Sequence, residues 1–449
     1  MRRVVITGLG AVSAHGLGTA AYFGALLEGK SSLGALTRFD PGAFEARIAG
    51  QAPAFKTTDY VPKSYRKATK IMARDIELAV VAADFCVKDA RLATKAVAEV
   101  TPLEKLGPTW HKPDPTRLGC NIGAGLICAD LDELTTAMLQ ARNPDGSFSL
   151  SKWGKSDDPA KSSGMESLTP LWLLKYLPNM LACHVSILHD TQGPSNTITC
   201  GQASAGLALS EAARTIARGN ADFALVGGCE SKVNPMALMR WSLLKRLATN
   251  GNDNPAAACR PLDAGAAGTV LGEGGAVLVI EELEHAKARG ATIYAEIVGL
   301  GSSANGTYVA EPDATGEAVA AAVKKAFRDA GIAADAVQLV IPPSVGVPKF
   351  DRADAAALGL AFGSALGKTA VVPLHGGIGD CGAGAQALDL VAAAMALSTQ
   401  TIPPAVNCTN PIADLPIPTA KKAAAIEHAL VIGSALGGQN SAVVLKRYS

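Results

Sequence analysis

The residues best placed to do chemistry sit in a tight turn of small residues, Cys200-Gly201-Gln202-Ala203-Ser204, which joins a β-branched run at 196–199 to a long Ala/Leu stretch. A strand that runs straight into a helix over small residues aims one side chain at the helix's first turn. Free backbone N–H groups and the helix dipole there favour a developing negative charge, the geometry of a nucleophile elbow. Cys200 is the thiol of this turn, and a second candidate, Cys381, follows Asp380 in the turn His375-Gly376-Gly377-Ile378-Gly379-Asp380-Cys381. Displaced nucleophilic chemistry would use either thiol with His375 as base. The blander readings are equally concrete: Cys200 is a strand thiol of the kind often buried, and Asp380 caps the helix that follows it. A helix N-terminus lowers the pKa of Cys381, and the adjacent Asp380 raises it again.

The elements around the first turn can be read from the pattern. The Ala/Leu stretch after Gln202 is expected to be a helix closed by Gly219, followed by an apolar strand over 223–226. At the start of the chain a strand over residues 3–7 leads into Gly8-Leu9-Gly10, read as a turn that lacks the spacing of a dinucleotide fingerprint. The segment Val4-Val5-Ile6-Thr7-Gly8-Leu9-Gly10 is echoed by Ala295-Glu296-Ile297-Val298-Gly299-Leu300-Gly301. The Gly/Ala-rich turn and helix after Gln202 are echoed after Asp380. These repeats predict an internally duplicated α/β protein with a half over 1–290 and a half over 291–449. A helix over 281–289 is expected to end at Gly290.

Composition removes several function classes. The chain has 449 residues, 48% hydrophobic and 18% charged, with a formal net charge of +1 and a pI near 7.6. No net field favours nucleic acid or a membrane surface. Nine scattered cysteines without CxxC pairs fit reduced thiols in a cytoplasmic protein, with no metal site and no disulfide scaffold. The start MRRVVITGLG lacks the apolar core of a signal peptide, and no run approaches the roughly 20 apolar residues of a membrane span. Residues 141–168 are rich in Gly, Ser, Asp and Lys and read as a surface insertion. Trp153 within it is expected to pack the loop against the body, the alternative being an anchor for a partner. Residues 169–189 read as an apolar helical stretch.

The segment 193–230 resembles the active-site segment of the elongating β-ketoacyl synthases, a family with the thiolase fold. The likeness covers nearly the whole chain and is strong over 247–289, with its Arg-Pro-x-Asp and Gly-Glu-Gly turns. It implies two α/β halves in an α-β-α-β-α layering. It also implies a structural ion pair between Arg260 and Asp263, with Glu273 among glycines near the site. Counted forward from Gly193-Pro194-Ser195, or back from Arg214, Gly219 and Asp222, the family's nucleophilic cysteine falls on Gln202. The family's first histidine falls on Pro343, because Pro348 matches the proline of its His-Gly-Thr-Gly-Thr-Pro turn. Its lysine falls on His375 and its second histidine on Asp380. The aromatic gate of its C-terminal Phe-Gly-Phe-Gly-Gly-Thr-Asn loop is replaced in Ser434-Ala435-Leu436-Gly437-Gly438-Gln439-Asn440.

The resemblance therefore implies a scaffold without the intact catalytic set. A missing nucleophile removes the covalent route, and general acid–base groups contribute roughly 10²–10⁴-fold. A glutamine at the cysteine position is similar to the chain-length factors of type II polyketide synthases. Such a subunit pairs with an active ketosynthase in polyketide or fatty-acid-like synthesis and shapes the acyl tunnel, with Gln202, Ser434 and Leu436 as tunnel or gate residues. The partners implied are that ketosynthase, as a heterodimer, and an acyl carrier protein whose phosphopantetheine arm delivers the chain. No other cofactor is expected. A homodimer through the strand at 196–199 is the other assembly. A stand-alone scaffold that binds acyl chains or carrier protein without catalysis is the alternative function beside displaced chemistry.

Overall fold

The computed structural model describes residues 2–160, 162–308 and 310–449. Apart from five short strands at the margins, its strands are β1 (Val4–Ser13), β2 (Leu118–Ala124), β3 (Ser195–Ile198), β4 (Phe223–Ser231), β5 (Leu271–Glu282), β6 (Ala295–Ala304), β7 (Leu339–Ile341), β8 (Ala370–Val371), β9 (His428–Ser434) and β10 (Gln439–Lys446). They run β3-β2-β4-β5-β1 in one array and β8-β7-β9-β10-β6 in the other, so the third, second, fourth, fifth and first strands of each half are neighbours in that order. Directions repeat as well. β2 is parallel to β3 and β4 while β4, β5 and β1 alternate; β7 is parallel to β8 and β9 while β9, β10 and β6 alternate. The arrays join where Val4, Val5 and Ile6 pair with Ile297, Glu296 and Ala295. The echo between the first strand and the segment at 295–301 is thus a repeat of topology.

The helices that matter for the site are α1 (Arg74–Asp89), α2 (Met180–His189), α3 (Ser204–Ala217), α4 (Pro235–Leu243), α5 (Glu317–Ala330) and α6 (Ala385–Thr399). Strand residues alternate between two cores, the period-two signature of a sheet. In β4, Ala224 and Val226 face the central core, with α3 and α6, whereas Phe223 and Leu225 face an outer core under α1 and α2. In β9, Ala429 and Val431 face the same central core, whereas Leu430 and Ile432 face a second outer core under α5. Both faces of each array are covered, which is why these strands read as nearly unbroken apolar runs. The result is the α-β-α-β-α layering of the thiolase fold.

Gly8-Leu9-Gly10 is not a turn. It lies inside β1, and the reason for the glycines is the helix above them. A Cβ on Gly10 would stand 2.1 Å from the Ala82 carbonyl oxygen, and one on Gly8 would stand 2.6 Å from the Ala90 Cβ. The second half repeats this with Gly301, 2.0 Å from the Ala322 oxygen, and Gly299, 2.3 Å from the Ala326 oxygen. Glycine in a strand here permits close helix approach.

Residues 169–189 also differ from expectation. A 3-10 turn over Trp172–Tyr176 precedes α2, and Leu171 is left-handed at φ 64. Pro178, without an N–H, separates the two pieces. In the segment 141–168, Trp153 packs on Phe148 at 5.9 Å between ring centroids, so this side chain holds its own loop. Arg260 and Asp263 pair at 2.8 Å.

Candidate functional site

Two equivalent turns meet at the centre. The Gly201–Ala203 turn before α3 and the Gly382–Gly384 turn before α6 are short 3-10 segments with matching left-handed glycines, Gly201 at φ 52 and Gly382 at φ 56. At Gly382 the requirement is double, because a Cβ would stand 1.9 Å from Glu230 Oε2. Gln202 rises from the first turn and Asp380 from the start of the second. Gln202 Nε2 lies 3.0 Å and 3.3 Å from the two Asp380 carboxylate oxygens.

Asp380 is 1% exposed and carries a full set of partners. Its Oδ1 accepts from the Gly382 N–H at 2.9 Å, a bond to the first residue of the 3-10 turn; the cap of α6 expected from sequence is not formed, because that helix starts after Gly384. Its Oδ2 accepts from Lys232 Nζ at 2.7 Å, and the lysine is 4% exposed. Burial alone would push the Asp380 carboxyl up; the Lys232 ammonium and the hydrogen bonds outweigh it and hold the group below the ordinary carboxylate range. The ammonium also lies 4.4 Å above the Trp241 ring of α4. Glu230, two residues before Lys232 at the end of β4, accepts from the Ala383 N–H at 2.7 Å; burial raises its pKa.

Lys232, Glu230 and Trp241 were not among the residues singled out from the sequence. The available signal was the spacing of Glu230 and Lys232, which places opposite charges on one face at the end of a buried strand. The residue opposite them is some 150 positions away, so no local pattern pairs it.

The other sequence candidates separate. His375 is 1% exposed: its Nε2 lies 3.2 Å from Asp389 Oδ2 on α6, and its Nδ1 has no hydrogen-bond partner among the described residues. Burial opposes its charge, but Asp389 tips the balance and its pKa is raised. Cys381 is fully buried, its thiol pushed well up by burial. That corrects the balance drawn from the helix terminus and Asp380: burial is the largest influence and Asp380 adds to it. Cys200 is half-buried in the turn after β3 rather than on the strand, and burial raises its pKa too. Among the described residues neither cysteine is hydrogen-bonded to His375, so the displaced Cys–His chemistry finds no geometry here. Glu273 is sealed from the site by ion pairs with Arg38 and Arg74 and a bond from Ser231 at 2.9 Å.

Two cavities meet at Gln202. The larger, about 620 Å³, is lined by Leu126, Pro178, Ala237, Trp241 and Leu436 and, besides the polar cluster, by Arg240, Asn234 and Gln439. The smaller, about 30 Å³, is lined by Pro343, Val345, Phe350, Arg246 and Ser434. Gln202, Trp241 and Leu436 belong to both and form the partition. Ser434 donates to Asn440 Oδ1 at 2.8 Å, which holds the C-terminal turn closed without an aromatic ring.

Beneath the site, the Asp75 carboxylate on α1 accepts from the Ser231 N–H at 3.2 Å, and burial, with Glu230 beside it, pushes its pKa up to about 8. The folded state then binds a proton that the unfolded chain has released, so stability falls as pH rises between the ordinary carboxylate range and about 8. Asp75→Asn is expected to flatten that slope in urea unfolding followed from pH 5 to 8. A slope unchanged in the variant would assign it elsewhere.

The Beta-ketoacyl synthase, N-terminal domain matches residues 1–286 of the chain, and the Beta-ketoacyl synthase, C-terminal domain matches residues 294–409. A 3-oxoacyl-[acyl-carrier-protein] synthase 2 of Coxiella burnetii is 32% identical over 449 residues, covering 99% of each chain. A beta-ketoacyl synthase from Burkholderia phymatum superposes with a TM-score of 0.83 at 27% identity, and a ketosynthase of a type II polyketide system, solved with its acyl-carrier protein and bound to the hexaketide, with 0.81 at 25%. Both likenesses cover 100% of each chain. No helix among the described residues is long and apolar enough to cross a membrane.

Proposed function

Because the chain belongs to the β-ketoacyl synthase family and its two central turns present an amide and an ion pair instead of a thiol and two imidazoles, we propose that it is a non-condensing subunit. In this reading it pairs with an active ketosynthase in type II polyketide or fatty-acid-like synthesis and shapes the acyl tunnel. One observation carries the proposal: the closed Gln202–Asp380–Lys232 network. Gln202 occupies the nucleophile's place, and a carboxamide under these conditions does not attack a thioester. Asp380 stands in place of the second histidine with its charge neutralised by Lys232, so it offers no proton to an enolate. Pro343 stands in place of the first histidine and has neither a side-chain donor nor an N–H.

The network also fits a passive role. Burying a carboxylate, an ammonium and an amide is tolerated only when each is partnered, and here each is. The mostly apolar lining of the larger cavity suits an acyl chain, and Leu436 and Ser434 in place of an aromatic gate leave the partition to Gln202, Trp241 and Leu436. The half-exposed edge of β3 is where a subunit of the same fold would add its own strand.

Co-expression with a cysteine-bearing ketosynthase from the same genome, followed by native mass measurement and a condensation assay with malonyl- and acyl-carrier protein, tests this. The expected result is a 1:1 complex that elongates only when both chains are present. A homodimer indifferent to the ketosynthase, with bound lipid, would favour the stand-alone scaffold. Condensation by this chain alone would end the proposal.

A further inference from the structure

The helix α2 carries two buried imidazoles that lie outside the central site. His184 and His189 are 2% and 3% exposed. Each bonds a hydroxyl on a different neighbouring segment. His184 Nδ1 lies 2.9 Å from the Tyr65 hydroxyl in the 3-10 segment Lys63–Ile71, and its Nε2 is buried without a partner. His189 Nδ1 lies 2.8 Å from the Thr94 hydroxyl. Thr94 precedes the short helix Lys95–Val100 and would ordinarily cap it, yet its side chain makes no capping bond there. Among the described residues the other side-chain hydrogen bonds that reach α2 involve sulfur, at 3.7 and 3.8 Å. The two imidazoles are the polar pins of this helix.

Both rings are kept neutral by their surroundings. Burial alone lowers His184 to about 4. Beside it Tyr65 stays a neutral phenol, pushed up to about 12, as does the Cys120 thiol of β2. The charges of the 3-10 segment, Lys63, Arg66, Lys67 and Lys70, are all positive. Burial, and then the Lys88 ammonium on α1, lower His189 to about 4. Lys88 is itself paired with Asp84 at 2.7 Å. Lys95, Glu99, Lys112 and Asp190 line the cavity beside His189, and among the described residues none forms an ion pair with it. An imidazolium at either place is an unpaired buried charge, and at His184 its Nε2 hydrogen has no acceptor. The helix is weakly held in other respects. It spans ten residues, too short to persist alone, and Asn179 at its start makes no capping bond. Asp190 ends it in the left-handed region, and the chain then runs into β3, whose residues are exposed or half-buried. Its apolar face, Leu181, Val185 and Leu188, packs in the outer core.

We propose that α2 and β3 form an acid-released arm: protons on His184 and His189 detach it from Tyr65 and Thr94 while the central core and the two central turns stay folded. The device belongs to this chain alone and does not depend on the reading above. Opening lets both rings titrate at the ordinary histidine value of 6.5. At pH 5 each ring then multiplies the opening equilibrium by about 30, and the two together by about 10³. The Asp75 carboxyl on α1 acts with the opposite sign, since acid favours its protonated folded form, so it does not cause this loss.

The test is hydrogen–deuterium exchange of the full chain from pH 7.5 to 5, with labelling times scaled for the intrinsic rate. Protection over residues 180–198 is expected to fall by about 10³-fold relative to β4 and β5, which hold. His184→Asn and His189→Asn keep an amide near the Nδ1 position and do not titrate. Each should cancel about 30-fold of the loss, and the two together nearly all of it. His15→Asn is the control: this imidazole is also lowered to about 4, but its neighbours are Ser32 and Tyr22, and its variant should keep the full response. If the α2 variants do not fold, imidazole NMR of the wild-type chain decides. The rings of His184 and His189 should stay neutral at pH 6 and gain protons only as protection over 180–198 is lost. Protection there that stays level with the core, both rings titrating near 6.5 in a protected segment, or an undiminished response in the double variant would each overturn the proposal.

Discussion

Lys232→Met is expected to destabilise the protein by about 3–5 kcal/mol, the usual cost of stranding one member of a buried ion pair. The pair is closed to solvent on both sides, 5% and 1% exposed at the side chains, and Asp380 would keep only the Gly382 N–H and the Gln202 amide. The pH dependence gives the sign. In the wild type the Asp380 pKa is lowered, so its contribution is present above the unfolded carboxylate pKa and is lost as pH falls through the folded one. Without Lys232, burial dominates and the carboxyl moves up. The variant's deficit should then be largest near neutrality and shrink as acid protonates Asp380. The double variant Lys232→Met/Asp380→Asn removes both charges and should recover most of the loss, since replacing a whole buried pair is often neutral. Urea unfolding of the four proteins of this cycle at two pH values decides it. A single variant within about 1 kcal/mol of wild type, or a double variant no better than the single, would show that the pair is not what holds the two turns together.

The second large effect is a failure to rescue. Gln202→Cys should place a thiol at the head of α3, detectable by iodoacetamide labelling, yet give no condensation by the isolated chain. The reason is what surrounds it. Pro343 supplies no donor, Asp380 is held charged by Lys232, and each missing general acid or base is worth roughly 10²–10⁴-fold. Turnover should therefore lie at least about 10⁴-fold below that of an active ketosynthase assayed alongside. The same substitution opens the partition, so the complex with an active partner should show a changed product length rather than lost activity. Condensation by the Gln202→Cys chain alone, at a rate within tenfold of the active enzyme, would refute the passive reading of the Asp380–Lys232 pair.

Much of the architecture was legible without coordinates. The strand–turn–helix at 196–217, its Gly219 terminator and its echo after Asp380 are local signals, written in β-branched runs, small residues and helix-forming alanines. The duplication was visible because the same close helix approach demands the same glycines in β1 and β6. That demand also explains the misreading of Gly8-Leu9-Gly10: glycine signals a turn or a tight contact, and only the neighbouring helix tells which. The length of β4 was likewise set by neighbours, whereas the break at Pro178 is local, since proline lacks the N–H.

The sequence by itself determined which residue types stand at the two central turns and in the loop after β7: a glutamine, an aspartate and a proline do not change identity on folding. Only the tertiary structure decided what those residues do instead. Asp380 read alone was a helix cap; Lys232, coming from the end of a strand in the other half, makes it half of a buried ion pair. His375 and Cys381 read as a base and a thiol six residues apart, and packing sends one to Asp389 and seals the other. Charge pairing and desolvation depend on residues distant in the chain, so they are fixed only when the layers close.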